Sequence, residues 1–389
     1  MISSFLCVTD IGCILIGRMC SAERMVSMKK YRVGVIGCTG MVGQRFVTLI
    51  DQHPWFELKV VAASARSAGM TYGEAIGKRW KIDTPMPEAA KNLVVMDATN
   101  DIDKIVSQVD FVFSAVDMKK EEIQALEEEY AKHECPVVSN NSAHRWTPDV
   151  PMIIPEINPE HLEVIHDQKK RLGTSHGFIA VKSNCSIQTY VPALSPFIKK
   201  YPIEKILVCT YQAISGAGKT FETWPEMVDN VIPFIGGEEE KSEQEPLKVW
   251  GHVENGVIIN AAEPCITAQC IRVPVSNGHM GAVFVKFKDA KPSKEEMIET
   301  WASYKARPQE LQLPSAPEQF LQYFTEDNRP QTGMDRMLGN GMTVSIGRLR
   351  EDTQYDYKFV SLAHNTLRGA AGGAVELAEL LCAEGWMDR

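Results

Sequence analysis

The sequence lacks most of what metal, nucleic-acid and membrane proteins require. Its ten cysteines include no CxxC pair, and no histidine cluster stands at ligand spacing. That argues against a zinc site and a disulfide framework, and for a reducing compartment. There is no basic stripe with interleaved aromatics, and net charge is −9, so nucleic acid is not an expected partner. No apolar run beyond the N-terminus is long enough to span a bilayer, so no membrane partner is expected. Residues 1–28 are apolar and contain cysteine, yet Asp10 interrupts them and no Lys or Arg precedes Arg18. A secretory signal needs a basic start and an unbroken apolar stretch. The segment reads as a dispensable extension, since Met25 or Met28 would also open the domain, with a weak targeting segment as the other reading. A cytoplasmic location is expected.

With 389 residues, 44% apolar and 23% charged, the chain suits a globular enzyme of two domains. Its most informative segment is Val181-Lys-Ser-Asn-Cys185-Ser-Ile-Gln-Thr-Tyr-Val. The apolar run 177–181 predicts a strand. Ser183 and Asn184 are N-cap types, and the apolar positions after Cys185 take helical spacing. A cysteine at a helix start meets free N–H groups and the positive end of the dipole, which stabilise a nucleophilic thiolate. The alternative is a buried structural cysteine.

A phosphate cradle precedes it. The strand Tyr31–Ile36 runs into Gly37-Cys-Thr-Gly40-Met-Val-Gly43, and Gln44–Ile50 repeats at helical spacing. Strand, glycine-rich turn and helix make a Rossmann unit, here spaced GxxGxxG. Gly37 permits the tight turn, Gly40 lets backbone approach a diphosphate, and Gly43 lets helix and strand pack closely. Thr39, Met41 and Val42 share that turn and are candidate cofactor contacts. The second strand, 58–63, ends in Ser64-Ala-Arg66-Ser67, where an NAD site would carry an acidic residue. Arg66 can instead face a 2′-phosphate, which selects NADP; otherwise it is a solvated loop arginine. The strands 110–115 and 136–139 belong to the same sheet. Ligands bind beyond their carboxyl ends, which makes Ser114 and Asn141 candidates for the pocket wall. Residues 119–132 read as a charged amphipathic helix.

After Cys185 the runs 205–212, 270–275 and 281–287 predict an antiparallel or mixed sheet with helices, and Gly236-Gly-Glu-Glu-Glu-Lys-Ser-Glu reads as a solvated charge run. Taken with Gln212-Ala-Ile-Ser-Gly-Ala-Gly-Lys219 and Arg272-Val-Pro-Val-Ser-Asn-Gly-His279, the chain from 29 to 386 resembles the aspartate-β-semialdehyde dehydrogenases, in wording nearest their archaeal and fungal branch. The resemblance implies an α/β fold: a Rossmann-type NADP-binding domain (29–182, completed by a C-terminal helix at 364–386) and an α+β catalytic and dimerisation domain (183–363). It implies a homodimer or homotetramer and no metal.

It also implies roles. Cys185 is the nucleophile. His279 is the acid/base that takes the thiol proton and later serves the thiohemiacetal oxygen. Gln212 orients the substrate, and Arg272 clamps its α-carboxylate. Glu238 meets the substrate ammonium, an assignment uncertain by one or two positions within Glu238-Glu239-Glu240. Lys241 and Arg145 bind phosphate. His144 has no assigned role and reads as a surface residue. Ser215, Gly216, Asn340 and Asn365 add cofactor contacts, and Asn365 opens a helix from 366 to 381. The implied reaction is NADPH-dependent reductive dephosphorylation of L-4-aspartyl phosphate through a Cys185 thioester. Rival readings are malonyl-CoA reductase, which has no need for a site for an α-amino group, N-acetyl-glutamyl-phosphate reductase, whose cysteine and histidine contexts match less well, and a non-catalytic NADP-binding homologue.

Overall fold

Seven strands form an all-parallel first sheet in the computed structural model, which describes residues 30–388. The N-terminal extension expected from sequence lies outside these residues. The strands are β1 (Tyr31–Ile36), β2 (Phe56–Ala63), β3 (Val95–Asp97), β4 (Phe111–Ser114), β5 (Val137–Ser139), β6 (Met152–Ile153) and β7 (Ile179–Lys182). Their order is β3-β2-β1-β4-β5-β7-β6. Strands covered on both faces must be apolar throughout, and β4, Phe-Val-Phe-Ser, is buried at all its positions. The order reverses between β1 and β4, so the crevice for a ligand opens between Gly37 and Ser114. Helix α1 (Met41–Ile50) follows the glycine turn and α2 (Lys120–Lys132) precedes β5.

The second sheet is mixed, in the order β11-β8-β12-β15-β14-β13. Its members are β8 (Ile203–Gln212), β11 (Cys265–Arg272), β12 (His279–Phe287), β13 (Leu321–Phe324), β14 (Val344–Glu351) and β15 (Tyr357–Ala363), while β9 (His252–Glu254) and β10 (Val257–Ile259) make a separate hairpin. β12 alternates strictly between buried and half-buried positions, as a strand with one covered face should. Its inner residues pack on α3 (Val191–Ile198) and on Trp301, whose indole N–H donates to the Ala193 carbonyl at 2.7 Å. Helix α4 (Glu238–Val249) lies along β11. The same core continues through Ile187 and Tyr190 to Ile36, Val112 and Tyr130 of the first sheet. On the other face of that sheet, α5 (Gly372–Ala383) buries Val375, Leu377 and Leu380 against Val33, Val35 and Phe113.

Several expectations need correction. No α-helix starts at Cys185. The Asn184 side-chain oxygen accepts from the Ser186 N–H at 2.7 Å, closing a local turn, and α3 begins only at Val191 with Pro192 in its first turn. Proline has no N–H to give and is tolerated there. The charge run is not a solvated loop. Gly237, at φ +70°, launches α4, which buries Glu238, Ser242, Glu245 and Val249 at spacings of four, three and four. His144 is not on the surface. It is 2% exposed, within hydrogen-bond reach of the Thr147 hydroxyl at 3.0 Å and the Gln124 carbonyl at 3.3 Å. β11 starts at Cys265 rather than 270 and stops before Pro274. The helix expected from 366 is a π-turn, Leu367–Ala371, broken at Ala370 (φ −144°, ψ −111°), with α5 starting at Gly372.

Candidate active site

Three strand ends of the second sheet meet beneath the loop that follows β7. β8 and β11 are parallel and in register, so Arg272 lies directly beside Gln212 at their carboxyl ends. β12 runs antiparallel to β8 and begins at the same level with His279. The turn before it needs Gly278 at φ +100°. Cys185 comes over these ends, with its Sγ 3.4 Å from His279 Nε2. The Ala213 residue ties the group together. Its N–H donates to His279 Nδ1 at 3.0 Å, and its carbonyl accepts from Arg272 Nη1 at 2.6 Å.

The electrostatics differ from the sequence expectation. Burial pushes the Cys185 thiol up to about 11; Glu238 adds to this, and Lys182, Arg145 and Arg272 oppose it. A thiolate stabilised by a helix dipole is therefore not the resting state. His279 is fully buried, and burial with Arg272, His364 and Lys182 nearby holds its imidazole neutral, well below its ordinary range. With Nδ1 accepting from an N–H, the neutral ring carries its proton on Nε2, the atom facing the sulfur. The ring is thus set to donate. The implied role of His279 as acceptor of the thiol proton does not match this tautomer.

Beside this group, α4 separates the three members of the acidic run. Glu238 is 9% exposed; it accepts from Asn184 Nδ2 at 3.1 Å and Gln212 Nε2 at 3.3 Å and pairs with Lys241 at 2.9 Å. Burial raises its pKa, but Lys241, Asn184 and Gln212 outweigh burial and hold the carboxyl below its usual range. Glu239 turns away to Gln269 and the Cys270 N–H, and Glu240 is exposed. Arg145 is 6% exposed and bonds Glu245 at 2.9 Å, the Lys182 carbonyl at 3.0 Å and the Asn140 carbonyl at 3.3 Å. Much of its donor fork is thereby committed to protein. Asn141 is a brace: its amide donates to Ser114 Oγ at 3.0 Å and to Glu127 at 2.9 Å. What it can offer a ligand is its oxygen, not the amide donor.

On the cofactor side, the glycine turn matches the needs of a dinucleotide. Gly37 has φ +84° and abuts the Ala115 carbonyl, and Gly43 abuts the Gly37 carbonyl, so neither tolerates a Cβ. Gly40 faces open space, the nearest atom 3.8 Å from where a Cβ would lie, and starts the ten-residue α1 without a side-chain cap. Those N–H groups remain available to an anion. Thr39, Met41 and Val42 are partly accessible there, and Ser64 and Arg66 are exposed after β2 with Ser67 half-buried. The set fits NADP. Ser114 is fully buried under Asn141. Asn365 donates to Ser215 Oγ at 2.8 Å and accepts from the Gly278 N–H at 2.8 Å, linking the loop after β8 to the turn before His279. Gly216 is exposed beside Arg272 and His279. Asn340 stands exposed in a left-handed turn (φ +56°) and joins none of these contacts. Among the described residues no three His, Cys, Asp or Glu side chains are grouped to hold a metal.

Sequence reasoning missed four residues. Glu245 is fully buried and holds both Arg145 and the Asn184 N–H, the latter at 2.6 Å. Gly369 lies against Cys185, and Gly373 against Lys182. Lys182 itself is 1% exposed. The signal for it was present, a lysine closing an otherwise apolar central strand.

The chain matches two family models, "Semialdehyde dehydrogenase, NAD binding domain" over residues 32–165 and "Semialdehyde dehydrogenase, dimerisation domain" over 194–368. It is 42% identical over 353 residues to the aspartate-semialdehyde dehydrogenase of Methanothermobacter thermautotrophicus, covering 90% of this chain and 98% of that one. It is 39% identical over 370 residues to that of Aspergillus fumigatus, covering 93% and 100%. A crystal structure of the Candida albicans aspartate semialdehyde dehydrogenase with NADP superposes with a TM-score of 0.83 at 35% identity, over 92% of this chain and 100% of that one. The Vibrio cholerae aspartate semialdehyde dehydrogenase II complexed with ASA gives 0.70 at 26% identity, over 91% and 98%.

Proposed function

The chain belongs to the aspartate-semialdehyde dehydrogenase family, and from that premise we propose how its residues carry the reaction. The activity is NADPH-dependent reduction of L-4-aspartyl phosphate to L-aspartate-4-semialdehyde, with release of phosphate, on the route to lysine, threonine, methionine and isoleucine. The malonyl-CoA reductase alternative has no support from these relatives, which carry the semialdehyde dehydrogenase name.

The observation that carries the mechanism is the Cys185–His279 contact at 3.4 Å, framed by Gln212, Arg272 and Glu238. Glu238 receives the substrate ammonium and Arg272 its carboxylate, which presents the acyl carbon to Sγ. Neutralising Glu238 removes a charge that opposes thiolate formation at Cys185. Sγ attacks the acyl carbon: a C–S bond forms, the S–H bond breaks, the bond to phosphate breaks, the proton leaves with the departing phosphate, and Lys241 and Arg145 receive that leaving anion. Bound reduced nicotinamide supplies the hydride. His279 Nε2–H then stabilises the thiohemiacetal oxyanion, whose collapse re-forms the carbonyl and expels the Cys185 thiolate.

We assign 29–182 with 364–386 to the NADP-binding domain and 183–363 to catalysis and dimerisation. The outer face of the second sheet offers Leu207, Cys209, Tyr211, Met280, Ala282 and Phe284, all half-buried or exposed. An apolar sheet face of this kind is an oligomer surface, used for a homodimer or, by pairing dimers, a homotetramer. No helix among the described residues is long and apolar enough to cross a membrane, and the enzyme is assigned to the cytoplasm.

The experiment is reduction of NADP⁺ by L-aspartate-4-semialdehyde, with and without phosphate, beside oxidation of NADPH by malonyl-CoA. Phosphate-dependent turnover with the semialdehyde is expected. Turnover with malonyl-CoA alone overturns the reading.

A further inference from the structure

We propose that Lys248 is the positioning residue of the phosphate subsite: its ammonium holds the main chain of Arg145 while Glu245 holds the guanidinium. This rests on Arg145 as a phosphate ligand. The need for such a hold comes from how little of Arg145 is left to bind. Of the five N–H groups of a guanidinium, one goes to Glu245, one to the Lys182 carbonyl and one to the Asn140 carbonyl, which leaves two for an anion. Two donors serve a phosphate only if the group that carries them is fixed.

Lys248 has the geometry to fix it. It is 2% exposed near the end of α4. Its Nζ donates to the carbonyls of Arg145 at 2.8 Å, Thr147 at 2.9 Å and Val150 at 3.0 Å. An ammonium has three N–H groups, and each has its acceptor here. A lysine is almost never fully buried unless paired; three carbonyls take the place of a counter-ion. Glu238, Lys241, Glu245 and Lys248 are spaced three, four and three along α4, so they share one face. That face runs from the ammonium site proposed at Glu238 to the loop that carries Arg145. One helix thereby sets both ends of the substrate.

Loss of the charge has a defined effect. A neutral amine keeps two N–H groups for three carbonyls, so one carbonyl is released. The charged and titratable groups facing Lys248 are Asp149 on the Arg145 loop, Glu245 on α4 and His161 in the turn 159–164. Asp149 is paired with Arg171 and Glu245 with Arg145, and burial holds His161 neutral, below its ordinary range. Burial brings the Lys248 amine down to about 8, with Asp149 and Glu245 opposing. Lys248 is therefore an ammonium at neutral pH. It loses its proton as pH rises through about 8, and phosphate binding weakens in that direction. Phosphate is already a dianion there, so the ligand's own charge does not change.

The test is the KM for inorganic phosphate in oxidation of the semialdehyde, beside the KM for NADP⁺ and for the semialdehyde. Lys248→Met is expected to raise the phosphate KM about tenfold or more and to leave the other two within about threefold. Added to Arg145→Met it should change nothing further, because it acts through that residue. In wild type the phosphate KM should rise above about pH 8; Lys248→Arg, which keeps its charge, should stay flat. A phosphate KM within about threefold of wild type in Lys248→Met, all three KM values rising together, or multiplying effects in the double variant overturns the proposal. So does Lys248→Arg following the wild-type pH profile, or a wild-type phosphate KM flat to about pH 9.5; these decide the matter if NADPH binding shows Lys248→Met unfolded. An unchanged phosphate KM in Arg145→Met overturns the assignment of Arg145 itself, and the proposal with it.

Discussion

Substituting Gly216 by alanine isolates the geometry of the catalytic trio. Its backbone has no positive φ and its position is exposed, so alanine itself brings no backbone strain. The new methyl would lie 2.9 Å from Arg272 Nη1 and 3.1 and 3.2 Å from His279 Cε1 and Nε2. Ordinary contact is roughly 3.5 Å, so both side chains must yield by about half an ångström. Neither moves freely, because Arg272 and His279 are both tied to Ala213. A misplacement of about 1 Å costs on the order of 10²-fold. We expect kcat/KM to fall about 10- to 100-fold, or about 1.4–2.7 kcal/mol of transition-state stabilisation. Stability, read by chemical denaturation, should change by less than about 1 kcal/mol. Because Gly216 is also a proposed cofactor contact, alkylation of Cys185 without cofactor provides the control. Its rate should fall as well, since Nε2–H no longer faces the sulfur. Activity within threefold of wild type, or a stability loss above about 2 kcal/mol, refutes the reasoning.

Other outcomes follow from the same contacts. Glu245→Gln cannot accept from both Arg145 and the Asn184 N–H; denaturation should show a loss of about 3–5 kcal/mol, as for a broken buried pair, together with lower activity. Glu238→Gln should raise KM for the semialdehyde far more than KM for NADP⁺ in steady-state assays. In wild type Lys241, Asn184 and Gln212 hold the Glu238 carboxyl below its usual range, so it stays charged throughout the ordinary carboxylate range; substrate affinity should hold there and weaken only in more acidic solution. Arg66→Glu should lose at least about tenfold in NADPH affinity by fluorescence titration and leave NADH unchanged; an unaltered NADPH affinity removes Arg66 from the site.

Much of this architecture was legible because strand and glycine patterns are local. The turn 37–43 needs glycine at Gly43 for contacts a few residues away, and β12 announces its covered face by simple alternation. The Cys185 segment misled because its polar cap residues do cap something, a one-turn Asn184 loop, while the proline at 192 defers the helix. The run Glu238–Glu240 read as solvated because nothing in its neighbours reveals that the inner stripe of α4 faces a polar site rather than an apolar core. His144 was misjudged, and the bracing role of Asn141 was missed, for a related reason. Their partners, Gln124 and Glu127, lie on α2, and only the folded sheet brings that helix alongside. The tautomer of His279 depends on the Ala213 N–H, 66 residues away, and leaves no trace in composition or spacing.

The central claim is a covalent acyl intermediate on Cys185. It is tested most directly by mixing enzyme with L-4-aspartyl phosphate in the absence of NADPH, quenching in acid, and mapping peptides by mass spectrometry. The account predicts stoichiometric phosphate release and an aspartyl adduct on the Cys185 peptide, both absent in Cys185→Ser. Phosphate release without an adduct, or an adduct on another cysteine, would contradict it.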